Sequence, residues 1–244
     1  MTAHLSGGEP EPDRKEKRMS ERVAIVTGAG GELGRATAAK LAAAGYVVTG
    51  IDRNEQGLKE LPDGIGREVA DPVDPAAARS VVDRIAAAVG PPEVLVNTIG
   101  TYRLGDALSV TQEDLRSMID VNLGSALWLT QAVVPYMRER GSGSIVHVAS
   151  RPGLEPAAGQ ASYALSKAAL AYLTRVLDLE LRPLGIRVNA VAPQLLNTAA
   201  TRQFAPPEAL AHSVTPEAIA DILVYLASDA AAPVSGAIVP AYGA

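Results

Sequence analysis

Cysteine is absent from the 244 residues, which excludes a disulfide framework, a thiolate metal site and a cysteine nucleophile. Aromatic side chains make up only 4 %, with a single Trp and a single Phe. The core must therefore be filled by small aliphatic residues, as suits buried parallel strands under close-packed helices. Positive charge is also scarce: 22 Lys and Arg stand against 27 Asp and Glu, a net charge of −5. An acidic chain without a basic stripe points away from nucleic acid as a partner. No apolar run reaches the roughly 18–20 residues that cross a bilayer, so no membrane partner is expected. Residues 1–20 are polar, carry both signs of charge and lack the apolar centre of a secretion signal. They are expected to form a disordered N-terminal extension, and the protein is expected to be cytoplasmic. No metal ligand set is expected.

What the chain does have is alternation. Short aliphatic runs at 23–26, 46–51, 67–70, 94–96, 144–149, 186–191 and 237–240 are separated by helical stretches near 33–44, 75–89, 112–138, 160–182 and 216–228. Pro135 is expected to break or bend the third helical stretch, and Pro183 to end the fourth. Strands alternating with helices of this length predict an α/β fold, a doubly wound parallel sheet in a single domain over residues 21–244. Ligands of such sheets bind at the carboxyl ends of strands, so the residues just past each strand carry the functional argument.

Strand one ends in Thr27-Gly28-Ala29-Gly30-Gly31-Glu32-Leu33-Gly34. Glycines there allow a tight turn and bring backbone N–H groups and a helix N-terminus close to a pyrophosphate. Strand two ends in Asp52, where a carboxylate can accept from ribose hydroxyls and repel a 2′-phosphate, which favours NAD over NADP. Arg35 and Arg53 argue the other way, as either can pair with a phosphate. Asp71-Pro72 follows strand three, and Asn97-Thr98-Ile99-Gly100 follows strand four, both placed to meet the nucleoside.

Strand five delivers Ser150, and thirteen residues later come Tyr163 and, four further on, Lys167. That spacing puts the last two on one face of a helix. A phenol of ordinary pKa about 10 is a poor acid or base at neutral pH, and a neighbouring ammonium favours its phenolate. Lys167 can also hold a ribose hydroxyl. Ser150 can hydrogen-bond a substrate oxygen, so hydride arrival at carbon is matched by proton delivery to oxygen. Asn122 is the candidate to hold a water linking Lys167 to solvent.

Taken together, the Thr27–Gly34 turn, Asp71, Asn97-x-x-Gly100, Asn122, Ser150, Tyr163-Ala-Leu-Ser-Lys167, Asn189-Ala-Val-Ala-Pro193 and Thr198 make the chain resemble a short-chain dehydrogenase/reductase of the classical type over residues 21–244. The resemblance implies a Rossmann-like fold with seven parallel strands and a catalytic tetrad of Asn122, Ser150, Tyr163 and Lys167. It implies NAD(P)-dependent interconversion of an alcohol and a carbonyl, with NAD expected here and NADP the lesser candidate, and a homotetramer or homodimer built through the two long helices. Pro193, Gln194, Leu196 and Thr198 are implied as cofactor contacts, Leu196 through its backbone. The segment from Ala199 to about Val214 is implied to close over the substrate, with Arg202, Phe204 and His212 in it; Arg151 and Arg202 are candidate substrate contacts. Arg103 and Arg151 could hold an acidic substrate. The main alternative activity is NADPH-dependent reduction of a 3-oxoacyl thioester on a carrier protein, and a catalytically weak dinucleotide-binding protein is the other.

Three positions depart from the family pattern. Glu32 stands where glycine is usual and is expected to point to solvent, since an inward carboxylate would repel a pyrophosphate. Thr98 replaces an Asn, and Gln194 follows Pro193 in place of Gly.

Overall fold

The computed structural model describes residues 22–203 and 205–243; the extension at 1–20 and Phe204 lie outside them. Seven strands form one parallel sheet: β1 (Val23–Thr27), β2 (Val47–Asp52), β3 (Gly66–Val69), β4 (Pro92–Asn97), β5 (Gly143–Val148), β6 (Ile186–Pro193) and β7 (Ile238–Ala241). Their order is β3-β2-β1-β4-β5-β6-β7, and every neighbouring pair is parallel. The chain builds outward from β1 to β3, then returns to the other side of β1 with β4. The carboxyl ends of β1 and β4 therefore border the crevice where such sheets take ligands.

The central strands are aliphatic because both their faces are covered. On one face Ala24, Val26, Val94, Val96, Val146 and Val148 meet Leu33, Ala38 and Leu41 of α1 (Glu32–Ala43), after which α2 (Glu55–Lys59) is a single short turn. On the other, Ile25, Leu95, Ile145 and Val188 meet Val81, Val82 and Ile85 of α3 (Pro75–Ala88). Leu95 is fully buried, and truncating such a side chain to Ala costs about 2–5 kcal/mol. At the edge, β3 is mostly exposed, in keeping with its weak apolar signal.

Helix starts follow from local chemistry. The Asp74 carboxylate accepts from Ala76 N at 2.9 Å, and Pro75 opens α3 where an N–H would have no partner. Thr111 and Asp114 form a reciprocal capping box at the start of α4 (Gln112–Ile119). The long helical stretch is indeed interrupted, but not at Pro135. A π-helical segment, Asp120–Gly124, separates α4 from α5 (Ser125–Arg140), and Pro135 sits inside α5. The π turn inserts an extra residue and re-aims the side chains around it, and one of these is Asn122. Then α6 (Ala161–Leu181) runs to the Arg182–Leu184 turn at Pro183, as expected. The segment after β6 holds α7 (Ala199–Arg202) and α8 (Pro207–Ala211), and α9 (Pro216–Ala227) closes the first face with Ile219 and Leu223.

Candidate active site

The loop after β1 is built by close approach. A Cβ on Gly34 would lie 2.1 Å from the Gly28 carbonyl oxygen, so only glycine lets α1 pack this tightly on the turn. Gly31, the N-cap of α1, offers no side-chain cap to the first-turn N–H groups. Those groups and the positive end of a helix of 12 residues form a cradle of the kind that takes phosphate. Asp52 closes the cradle's far wall: its Oδ2 accepts from Gly30 N at 2.9 Å and its Oδ1 from Asn54 N at 2.9 Å. Thr98 Oγ1 donates to the Thr27 carbonyl at 2.6 Å, tying the ends of β1 and β4 together. The glycine turn, the uncapped helix start and the Asp52 carboxylate at the strand end are of the kind that fits a dinucleotide.

The two arginines that could favour a 2′-phosphate both have partners. Arg35 donates to the Gly30 carbonyl at 2.7 Å, and Arg53 lies 3.7 Å from the Asp71 carboxylate. Glu32 does not point freely to solvent, contrary to expectation. Its Oε1 accepts from Ala199 N at 2.6 Å, because the first N–H of α7 has no partner within its own helix.

Across the sheet, Thr27, Asn97, His147 and Ala190 stand in one register row. Thr27 Oγ1 donates to Asn97 Oδ1 at 3.2 Å, and Asn97 Nδ2 meets His147 Nδ1 at 3.1 Å. Burial, with the Lys167 charge nearby, pushes the His147 imidazole down to about 3. A neutral ring with Nδ1 as acceptor is the species that fits Asn97, so His147 is a packed strand residue rather than a base.

Above that row stand the four residues of the tetrad. Lys167 is 3 % exposed, and its Nζ donates to the Val148 carbonyl at 2.7 Å. Burial lowers its ammonium to about 8, and two of its three donors remain for other acceptors. Tyr163 lies one turn earlier on α6. Burial raises its phenol above the ordinary value, while a hydrogen bond with Ser150 works the other way. Ser150 is 5 % exposed and follows β5 in extended conformation. Asn122, in the π segment, clasps the peptide of Thr101: its Oδ1 accepts from Thr101 N at 2.8 Å and its Nδ2 donates to Thr101 O at 3.0 Å. A Cβ on Gly100 would come 3.2 Å from Lys167 Nζ and 3.3 Å from Asn122 Oδ1, so both groups converge on that glycine.

Residues beyond these four hold this geometry. A Cβ on Gly153 would lie 2.6 Å from the backbone carbon of Lys167; its absence lets the Ser150 turn rest on α6. Ser166 Oγ accepts from Asn122 Nδ2 at 2.9 Å and donates to Tyr163 O at 2.7 Å, linking the π segment to α6. The Tyr102 ring stands edge-on to Tyr163, with centroids 4.8 Å apart. Ser166 lies inside the Tyr163-Ala-Leu-Ser-Lys167 motif, whereas Gly153 was not singled out in the sequence.

The candidate substrate contacts are engaged within the chain. Arg151 donates to Glu155 at 2.7 Å and to Gln194 Oε1 at 3.0 Å, and lies 4.8 Å from the Tyr242 ring centroid. Arg202 donates to Asn197 Oδ1 at 2.8 Å, and Arg103 pairs with Asp114. Pro193 ends β6, and Leu196 bridges to Val214, bringing the root of the following segment together with Thr198, whose Oγ1 caps α7. Asp71 and Pro72 follow β3 at the outer end of the crevice, and Ile99 packs against the core between Thr98 and Gly100. His212 is exposed.

Comparison with known proteins finds relatives along most of the chain. The model of the short chain dehydrogenase family matches residues 22–209. The 3-oxoacyl-[acyl-carrier-protein] reductase of Thermotoga maritima is 32 % identical over 238 residues, covering 91 % of this chain and 96 % of its own. D-threitol dehydrogenase of Mycolicibacterium smegmatis is 31 % identical over 239 residues, covering 90 % and 91 %. A crystal structure of a short-chain dehydrogenase/reductase from Burkholderia xenovorans superposes with a TM-score of 0.87 at 28 % identity, covering 93 % and 96 %.

Proposed function

This chain belongs to the short-chain dehydrogenase family, oxidoreductases that act on alcohol/carbonyl pairs, and we propose that it transfers a hydride between NAD(H) and an uncharged carbonyl or alcohol. The observation that carries the reading is a Ser150-bonded phenol with a buried ammonium, held on the Val148 carbonyl, one turn further along the same helix. When bound, the nicotinamide supplies or accepts the hydride. Tyr163 supplies the matching proton: in reduction its Oη–H passes to the carbonyl oxygen while Ser150 donates a hydrogen bond to the same oxygen. The Lys167 ammonium stabilises the phenolate left behind and is placed to hold a ribose hydroxyl. Asn122 orients this end through Thr101 and Ser166 and is the residue proposed to hold the water by which the phenolate is reprotonated.

Asp52 is the observation favouring NAD, since its carboxylate opposes a 2′-phosphate and the flanking arginines have other partners. Gly28, Gly30, Gly31, Leu33 and Gly34 are proposed to hold the pyrophosphate, and Pro193, Gln194, Leu196 and Thr198 the nicotinamide end. An uncharged substrate is favoured because Arg103, Arg151 and Arg202 are each satisfied within the chain. A second reading, NADPH-dependent reduction of 3-oxoacyl thioesters, has the Thermotoga reductase in its favour.

Leu165, Tyr172 and Leu179 lie exposed at seven-residue spacing along α6, which supports assembly of two or four copies through this helix. A cytoplasmic location belongs to the same reading, to be checked by fractionation.

Titration with NADH and NADPH, followed by paired neutral ketones, keto acids and acyl thioesters, tests the reading. Tighter NADH binding with faster turnover of neutral ketones is expected. Preference for NADPH and thioesters would establish the second reading, and binding of neither nucleotide would refute both.

A further inference from the structure

We propose that Glu32 is a positioning residue that ties the substrate-side lid to the dinucleotide cradle, so that filling the cradle and moving the lid become one coupled event. The proposal rests on the dinucleotide reading of the cradle and adds to it a connection between two segments 167 residues apart.

The lid, residues 199–203 and 205–213, is anchored at its root. Asn197 N donates to Val214 O at 2.9 Å, Val214 N donates to Leu195 O at 2.8 Å, and Arg202 reaches back to Asn197. The remaining hydrogen bonds of the lid are local: Thr198 caps α7 and Pro206 receives Ala209 and Leu210. Among the described residues, the Glu32–Ala199 bond is the one hydrogen bond that joins the lid to any part of the fold outside 195–214. It meets a need at both ends. Ala199 N is an orphan donor of a helix start, and the Glu32 carboxylate sits at the positive end of α1.

The same end of α1 is where a pyrophosphate is expected to settle. Two anions at one helix terminus oppose each other, so an arriving dinucleotide works against the charge that holds the lid. Coupling of this kind is reciprocal: whatever the dinucleotide does to the latch, the latch does to dinucleotide affinity. Hydrogen-bond acceptance and charge are separable at this position, because Gln keeps a side-chain oxygen for Ala199 N and removes the charge, whereas Ala removes both.

The test is NADH titration together with hydrogen exchange of the lid in the nucleotide-free full-length protein. In Glu32→Gln, the Kd for NADH is expected to fall about fivefold, the size of one partly exposed charge at a helix terminus, while exchange across 197–214 stays at the wild-type rate. In Glu32→Ala, the Kd falls further than in Glu32→Gln, because the latch that the dinucleotide opposes is lost with the charge, and the lid exchanges faster. A purely structural cap would move lid exchange without moving the Kd in the Gln variant. A Kd unmoved by either substitution, the same Kd in both variants, or a lid equally protected in Glu32→Ala, overturns the coupling. If wild type and both variants alike fail to bind NADH, the dinucleotide reading falls and the coupling with it.

Discussion

The turn after β1 and the turn after β5 both form a proposed ligand site at a strand's carboxyl end, yet they are made of different material. The first is backbone: Gly34 is pressed against the Gly28 carbonyl, an uncapped helix start faces the crevice, and one side chain, Asp52, closes the wall. The second is side chain: Ser150, Tyr163, Lys167 and Asn122 are brought in from three different elements and mostly buried. A phosphate is bound well by any set of aligned N–H groups, so the cradle needs shape. Proton transfer needs a titratable group at one atom, so the tetrad needs chemistry. Substitutions should accordingly separate the regions, with changes after β5 costing turnover and changes after β1 costing nucleotide affinity.

The largest separation is expected from Tyr163→Phe, which removes the proton donor and leaves the ring packed against Tyr102. Turnover should drop by about 10³-fold, within the usual span for a positioned acid, with the Kd for NADH unchanged. Equal losses in both would collapse the distinction between the regions.

Gly34→Ala probes the backbone region. Its Cβ would fall 2.1 Å from the Gly28 carbonyl, so the turn must open. A loss of about 2–3 kcal/mol in unfolding free energy, with weakened NADH binding, is expected by denaturant titration and fluorescence. Wild-type affinity in a stable Gly34→Ala protein would show that the cradle's shape is not what holds the nucleotide.

Lys167→Met tests the burial of the catalytic charge. Folding lowers Lys167 to about 8 from 10.5. Between those values the unfolded chain binds more protons than the folded one, so this group makes stability rise with pH across the window and lowers it below. Relative to wild type, the Met variant should therefore lose about 2 kcal/mol between pH 8 and 10. Parallel stability–pH curves would mean that the ammonium is not desolvated.

The smallest effect is expected at the cradle's one side chain. Asp52→Asn keeps an acceptor for Gly30 N and removes the charge, so the ratio of Kd for NADPH to that for NADH should fall about tenfold, equivalent to roughly 1.4 kcal/mol. An unchanged ratio would shift discrimination to Arg35 and Arg53.

Much of the architecture was legible without coordinates, for a local reason. Buried parallel strands are short aliphatic runs, and Gly, Pro, Asp and Thr punctuate them with their own conformational preferences; all seven strands lie within two residues of their expected places. Tyr163 and Lys167 were legible because helical spacing alone puts them on one face. The break in the long helix was legible as an event but misplaced. Pro135 is tolerated within α5, while the π segment at Asp120–Gly124 is accompanied by an Asn122 clasp on Thr101, a contact 21 residues away.

The sequence by itself determined the alternation of strands and helices, the glycine turn, and the residue types that chemistry would need, because each depends on neighbours within a few positions. Only the tertiary structure decided that Gly153 must be small, that Arg103, Arg151 and Arg202 are satisfied internally, that Tyr163 meets Ser150, and that Lys167 is buried on the Val148 carbonyl. Most of these depend on which atoms face one another after the sheet has closed, which local preference does not encode. The cradle and tetrad, read separately along the chain, thus became two walls of one crevice, and Glu32 became the residue linking the first of them to the lid.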